Sequence, residues 1–337
     1  MSVLDDLQSR AAAKPAHIVL SEGADPRSVA AAVRSVAAGS GQITLVGSEA
    51  AITDQLAAIG AAPTEDLRIT DPATSPFIAE VADTYFQLRK HKGISRDLAD
   101  AQARDPLIFA AMMVRLGYAD GTVGGAVATT SETVRAALQI IGKADGAALV
   151  SSFFLMVLPA GHPSGRSAMI FSDCGLVIEP NADELAAIAA QSAASCAALI
   201  GEPPKVALLS FSSKGSARHA AVSKVTEALS TLKATHPDLI ADGELQFDAA
   251  FVPEVGASKA EGSDVAGHAN VMIFPNLDAG NIGYKIAQRV GGCAAIGPVL
   301  QGLAKPANDL SRGCTADDVI HMIAVTALQA AAQKEKT

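Results

Sequence analysis

The 337-residue chain contains no tryptophan, and aromatic residues make up only 4% of it. Its core must therefore be built from Ala, Val, Ile and Leu, which suit helices packed on buried parallel strands. Basic residues are not in excess. Against 35 Asp and Glu stand 26 Lys and Arg, a formal charge of −9. A nucleic-acid binder needs a basic surface to displace counterions, so that class is excluded. An anionic substrate would have to be held by local Arg and Lys clusters against an unfavourable overall field. Long apolar runs are lacking too. The most apolar stretch, 147–159, contains Ser151 and Ser152 and is too short to span a bilayer. The acidic start, Met1-Ser-Val-Leu-Asp-Asp-Leu, has no signal-peptide core. A cytoplasmic protein without a membrane partner is expected. Of the four cysteines, Cys174, Cys196, Cys293 and Cys314, none forms a CxxC pair and none lies near a histidine at zinc spacing. Cys174, Cys196 and Cys293 read as small buried hydrophobes in a reducing compartment.

Several common motifs are also missing. There is no GxGxxG dinucleotide fingerprint, no GxxxxGK[ST] phosphate loop, no HExxH and no GxSxG elbow. These absences remove standard nucleotide, zinc-protease and serine-hydrolase classes without selecting another.

What is present is 49% hydrophobic and 18% charged, ample for a core, over a length that implies two domains. Short apolar strands alternate with amphipathic helices. His17-Ile-Val-Leu and Ile43-Thr-Leu-Val read as strands. Asp25-Pro26 and Asp105-Pro106 each place an N-cap before proline at the first helical position. Helices are expected over 76–90, 106–116, 130–141, 181–200, 217–232, 281–290 and 315–333, with strands at 206–211 and 271–275. The extended runs 147–158 and 166–173 flank Pro159-Ala-Gly-His-Pro-Ser-Gly and read as a hairpin entering a second domain. The remaining alternation implies parallel sheets with helices on both faces. The charged end 334–337 is expected to fray.

Four stretches carry candidate chemistry. In Lys305-Pro-Ala-Asn-Asp-Leu-Ser-Arg-Gly-Cys-Thr-Ala-Asp-Asp318, Pro306 and Asn308 are expected to set a turn and Gly313 to allow a close approach. Ser311 and Arg312 precede a helix N-terminus, which attracts anions, and an Arg fork suits a phosphate. Asp318 is equally readable as the last member of a capping box begun by Thr315. Leu88-Arg-Lys-His-Lys-Gly93 ends a helix; its cations either complement the helix dipole or dock a polyphosphate tail. Arg135 follows Gly121-Thr-Val-Gly-Gly-Ala and Thr129-Thr130, a plausible anion cradle, or else pairs with Glu132 at i,i+3. Asp278, Asn281, Tyr284 and Lys285 fall near a helix start after a buried strand, the ligand edge of a parallel sheet. Asp242-Gly-Glu-Leu-Gln-Phe-Asp reads as a surface turn into a helix rather than a carboxylate metal site.

Taken in order, Leu88-Arg-Lys-His-Lys-Gly, Ala137-Leu-Gln-Ile-Ile, Asp242-Gly-Glu-Leu-Gln-Phe-Asp-Ala, Asp278-Ala-Gly-Asn-Ile-Gly-Tyr-Lys and Asn308-Asp-Leu-Ser-Arg-Gly-Cys resemble the phosphate acetyltransferase (phosphotransacetylase) family. The likeness runs from about residue 14 to about residue 333, in the short, single-module form. It implies a fold related to isocitrate and isopropylmalate dehydrogenases: two α/β domains with mainly parallel sheets facing across a cleft. Domain I would be 1–145 plus 295–337 and domain II, the dimerisation domain, 146–294 of a homodimer. The resemblance makes Ser311, Arg312 and Asp318 the catalytic set and links Arg89 and Arg135 to coenzyme A and phosphate. Asn281, Tyr284 and Lys285 are further substrate-binding candidates. The chain departs from the family pattern at Ala136, where proline is common, and around Gly175–Glu179.

The implied reaction is acetyl-CoA plus phosphate to acetyl phosphate plus CoA, with CoA as substrate and no tightly bound cofactor or metal. A free thiol has a pKa of about 8.5 and is mostly protonated at neutral pH. Asp318 is expected to take its proton, which would require burial to strengthen that carboxylate as a base. Arg312 would hold the phosphoryl group, and Ser311 would bond the carbonyl oxyanion or the sulfur. Cys314 adjoins this set, and the scheme does not require it as a nucleophile. The alternatives are a phosphate butyryltransferase, a nicotinamide-dependent dehydrogenase of the same fold, or a non-catalytic protein on that scaffold.

Overall fold

Asp25 and Asp105 each follow a turn and cap the helix that comes next. The Asp25 carboxylate accepts from Arg27 N at 2.9 Å, and that of Asp105 from Leu107 N at 2.9 Å and Ile108 N at 3.2 Å. Pro26 and Pro106 sit at the first helical position, where a missing N–H costs nothing. The second of these helices, Pro106–Leu116, stops at Gly117, whose φ of 86° is open to glycine at little cost.

The computed structural model describes residues 2–335. Lys336 and Thr337, part of the end expected to fray, lie outside the described residues. Lys334 and Glu335 are tied down by ion pairs to Asp120 (2.7 Å) and Lys14 (2.5 Å). The chain divides into two compact units, one of residues up to Asp145 together with those from Leu303, the other of Gly146–Gly302.

The first unit is built on a parallel sheet of β1 (Ala16–Leu20), β2 (Gly41–Val46), β3 (Leu67–Thr70), β4 (Gly121–Gly124) and β11 (Ala307–Asp309), in the order β11-β4-β1-β2-β3. Ile18 pairs in register with Ile43 and with Gly121, and Asp309 with Gly124. Ile18, Val19, Ile43, Leu45 and Val46 are fully buried, as strands covered on both faces require. The long helix Ala316–Lys334 packs on β1, β4 and the helices Pro26–Ala37 and Val3–Ala13, while Pro106–Leu116 covers β1, β2 and β4. The helix Val3–Ala13, capped by Ser2, is not anticipated by the sequence reading; nor is Glu49–Ala58.

The second unit carries a mixed sheet of β5 (Ser151–Val157), β6 (Ala168–Ser172), β7 (Val206–Leu209), β8 (Ala241–Leu245), β9 (Val271–Ile273) and β10 (Ala294–Gln301), ordered β10-β5-β6-β9-β7-β8. The expected hairpin is present, β5 and β6 pairing antiparallel from Val157↔Ala168 to Phe153↔Ser172. β10 pairs with β5, so the chain returns to the first unit at Leu303 rather than at 295. The stretch from Asp242 is neither a surface turn nor a metal cluster: residues 241–245 form a buried strand, and a helix follows at Phe247–Phe251. No helix among the described residues is long and apolar enough to cross a membrane.

A buried carboxylate orders one end of this second sheet. Asp173, 2% exposed, accepts from Ser152 N (2.9 Å), Gly175 N (2.8 Å), Leu176 N (3.0 Å) and Val177 N (3.2 Å), and from the Ser152 hydroxyl. It thereby shapes the Gly175–Glu179 loop, where the sequence departs from the family pattern. Asp173→Ala strips these donors of their partner and is expected to lower stability by about 3–5 kcal/mol, read by urea unfolding; a loss under 1 kcal/mol contradicts this role.

Candidate active site

The order of the first sheet reverses between β1 and β4: the chain builds outward from β1 to β3, then crosses back to add β4 and β11 on the other side. In parallel sheets the loops at such a switch part, leaving room for a ligand beyond the carboxyl ends of the strands. The segments 21–25 after β1, 125–129 after β4 and 310–315 after β11 meet here.

Two charged side chains tie these segments together. The Glu22 carboxylate accepts from the backbone N–H groups of Ala126 (2.6 Å), Val127 (3.0 Å) and Ala128 (2.6 Å). The anion cradle anticipated before residue 130 therefore exists, but an internal carboxylate already fills its amides. The Arg27 guanidinium pairs with Asp25 (2.9 Å) and donates to the carbonyls of Ala126 (2.7 Å), Arg312 (2.7 Å) and Cys314 (3.1 Å). Its hydrogen bond to Asp25 raises its already high pKa, so it is a permanent cation.

The third tie lies beneath the surface. Asp309, the last residue of β11, is 0% exposed, and neither carboxylate oxygen has a hydrogen-bond partner at full geometry. Burial pushes its pKa up to about 6; the hydroxyls of Thr130 and Thr133 oppose that rise, and the Glu22 charge adds to it. Gly125, at φ 95°, lies so close that a Cβ there would stand 2.2 Å from Asp309 Oδ1. This, not Gly313, is the close approach: a Cβ at Gly313 would meet only Ser311 Oγ, at 3.9 Å. The expected turn at Pro306 and Asn308 is instead the short strand β11, with Asn308 donating to Thr326 Oγ1 at 2.9 Å and Gln329 Oε1 at 2.7 Å.

Ser311 and Arg312 stand exposed on the turn above Asp309, closed by Cys314 N donating to the Ser311 carbonyl (2.8 Å). The turn leads to the N-terminus of Ala316–Lys334. There Thr315 and Asp318 form a reciprocal capping box, Asp318 Oδ2 accepting from Thr315 N (2.8 Å) and Oγ1 (2.9 Å). Asp318 is half-exposed, so the enclosure anticipated for a strong carboxylate base is absent. Cys314 is buried, and burial raises its thiol pKa despite the nearby Arg27 cation, which leaves it a poor nucleophile. The other cysteines are free as well, and burial pushes the Cys196 thiol up to about 12.

Arg135 lies on the helix Thr130–Ala136, which runs on into a wider turn at Ala137–Ile141. The i,i+3 ion pair with Glu132 does not form. Glu132 completes a capping box with Thr129, and Arg135 reaches back to Ser131 Oγ at 3.4 Å. The Thr129 hydrogen bonds hold the Glu132 pKa down, and the charges of Arg135 and Arg312 add to that in the same direction. Arg135 also lines a pocket of about 490 Å³ with Arg89, Lys92, Tyr85, Glu132 and Gln139. Of the basic run, Lys90 and His91 face solvent, while Arg89 and Lys92 reach this pocket.

The remaining candidates belong to the second unit, on the helix Leu277–Arg289, which starts after the N-cap Asn276 and thus before Asn281. Asn281 donates to the Cys174 carbonyl (3.1 Å) and accepts from Lys285. Tyr284 stacks on Phe154 with ring centroids 3.9 Å apart, and the Lys285 ammonium lies 4.9 Å over the Tyr284 ring. Asp278 is exposed in the first turn. Among the described residues no group of three His, Cys, Asp or Glu is placed to hold a metal ion.

Sequence reading missed Glu22, Arg27 and Asp309. The pattern Ser21-Glu22-Gly23 at a strand end is a usable signal for the first, and Asp309 lay inside a block whose other residues were singled out.

Known proteins resemble this chain over nearly its whole length. A family model described as phosphate acetyl/butaryl transferase matches residues 2–327. A phosphate acetyltransferase of Paracoccus denitrificans is 52% identical over 98% of this chain and 99% of its own length. A solved phosphotransacetylase from Streptococcus pyogenes superposes with a TM-score of 0.90 at 42% identity, covering 98% of each chain. A 4-hydroxythreonine-4-phosphate dehydrogenase of Klebsiella pneumoniae, at 11% identity and a TM-score of 0.52 over 94% of this chain and 98% of that one, shares the fold alone.

Burial of Asp309 yields a stability prediction. A carboxyl whose pKa rises on folding, here from 3.8 to about 6, keeps its proton longer in the native state. Its contribution is therefore present at low pH and is lost as pH rises from about 4 to about 6, by roughly 3 kcal/mol. Asp309→Asn removes that loss. The variant should gain stability relative to wild type between pH 4.5 and pH 7.5, measured by urea unfolding; a pH-independent difference contradicts the raised pKa.

Proposed function

We infer, from the premise that the chain belongs to the phosphate acetyl/butaryl transferase family, that it transfers an acetyl group reversibly between coenzyme A and inorganic phosphate. One observation carries the chemistry: Arg89, Lys92 and Arg135 line one pocket of the first unit, and Arg312 stands exposed on the turn that follows β11. On a chain of net charge −9 that is a local concentration of guanidinium groups, suited to phosphoryl oxygens.

In the direction of acetyl-CoA synthesis the CoA sulfur attacks the carbonyl carbon of acetyl phosphate. The C–S bond forms, the C–O bond to phosphate breaks, and phosphate leaves with the electron pair. Arg312 neutralises the phosphoryl charge as it grows, at a turn held from below by Arg27. Ser311, whose hydroxyl is exposed, donates to the carbonyl oxygen or the sulfur. The thiol proton goes to Asp318 through Oδ1, the oxygen its capping box leaves unused. Arg89, Lys92 and Arg135 receive the phosphates of CoA.

The reading includes a homodimer in a reducing cytoplasm, with the second unit as the dimerisation domain. The four free cysteines support the compartment. Ile282, Ile286 and Val290, at 58%, 56% and 83% exposure, follow one another at helical spacing and support a self-docking face. Ile286→Asp should then give a monomer by analytical ultracentrifugation, and an unchanged mass would exclude this face.

Arg312→Ala should lower kcat at least about 100-fold, whereas Arg89→Ala should chiefly raise KM for CoA. Unaltered turnover in Arg312→Ala would refute the assignment. Acetyl-CoA should outcompete butyryl-CoA in kcat/KM, and the reverse preference would favour the butyryl reading.

A further inference from the structure

The buried carboxyl of Asp309 has no task in the scheme above, yet it occupies the junction on which that scheme turns. It lies two residues before Ser311, and its backbone pairs with Gly124 in the sheet register. Leu310 N, next along, donates to the Gly124 carbonyl at 2.7 Å. The neighbouring segment presses against it so closely that residue 125 has no space for a side chain. On the helix Thr130–Ala136 the hydroxyls of Thr130 and Thr133 oppose the rise of its pKa, though neither is bonded to it. Thr133 currently donates to its own Thr129 carbonyl through a long 3.3 Å contact, a bond readily exchanged for a better acceptor. The titratable group acting on Asp309 from the β1 loop is Glu22, held in its own cradle of amides; β4, Gly121-Thr-Val-Gly124, contributes none.

An unpartnered, fully buried carboxyl destabilises a fold, and such costs concentrate where function requires them. We propose that Asp309 is a positioning residue for acyl transfer. Its ionised carboxylate draws the Thr130 and Thr133 hydroxyls to itself and so fixes the Ser311–Arg312 turn against the helix bearing Glu132 and Arg135. Its protonated form releases them. This rests on the acyl-transfer reading of the same site, and Asp309 touches no substrate: it acts through the turn and the helix start.

The consequence is an acid limb. With acetyl phosphate and CoA as substrates, kcat should fall as pH drops through about 6, where Asp309 takes up its proton. Asp309→Asn keeps the shape but cannot ionise. It should lower kcat about tenfold at pH 7.5, leave KM for CoA within about twofold, and abolish that limb. Substrate ionisations are common to both proteins, so the difference between profiles isolates this residue.

Thr133→Val provides a second reading that does not depend on Asp309→Asn folding well. Removing a hydroxyl that favours the charge should move the acid limb to higher pH. The melting temperature of Asp309→Asn at pH 7.5 should equal or exceed that of wild type, which separates mispositioning from unfolding. Wild-type kcat and an unmoved acid limb in both variants would overturn the proposal, as would a lower melting temperature in Asp309→Asn. An inactive wild type would sink the acyl-transfer reading and this inference together, whereas an active wild type with unaltered variants sinks this inference alone.

Discussion

The guanidinium of Arg27 is the interaction on which the candidate site depends. It closes one ion pair with Asp25 and reaches carbonyls of Ala126, Arg312 and Cys314, joining the ends of β1, β4 and β11 through one planar fork. Arginine suits this task because its donors are fixed in a plane and its charge does not titrate away. The loops at a sheet's switch point are otherwise held only by their own turns, since the ladder of backbone hydrogen bonds stops where the strands do. Glu22 is the complement of Arg27: a carboxylate that satisfies three consecutive backbone donors on the β4 loop. One internal cation serves carbonyls and one internal anion serves amides, so the loops are set before any substrate arrives.

That arrangement explains how an acidic protein offers a place to anions. Asp25 and Glu22 spend their charge inside the scaffold, and Glu132 and Asp318 spend part of theirs on helix caps. The guanidiniums of Arg312 and Arg135 stand exposed, which supports the proposal that they receive a phosphoryl group. A preset site of this kind incurs its reorganisation cost on folding rather than during reaction, the condition under which fixed dipoles and charges accelerate chemistry.

Much of this was legible in the sequence, for reasons that differ from element to element. The Asp-Pro pairs at 25–26 and 105–106 fix helix starts because one side chain and one ring constrain the same turn. The hairpin of β5 and β6 was visible as two extended runs about a Pro-Gly turn. The helix Leu277–Arg289 starts earlier than the expected residue 281, since the Asn276 side chain caps it. The stretch 241–245 misled because its Asp and Glu resemble surface residues; in the fold Asp242 is held by Lys214 and Ser263, and Glu244 accepts from Ser212 and Gly215. Arg27, Glu22 and Asp309 escaped for a different reason. Apart from the Asp25–Arg27 pair, their partners are backbone groups about a hundred residues or more away along the chain, which leave no mark on local periodicity.

Acyl transfer to phosphate is the activity on which the proposed roles of Ser311, Arg312 and Asp318 depend. The direct measurement is release of CoA from acetyl-CoA by the purified protein, followed by thiol titration with and without inorganic phosphate and with acetyl phosphate assayed alongside. Release that requires phosphate and matches acetyl phosphate one for one is the predicted result. Release that ignores phosphate and yields acetate, or no release at all, contradicts it.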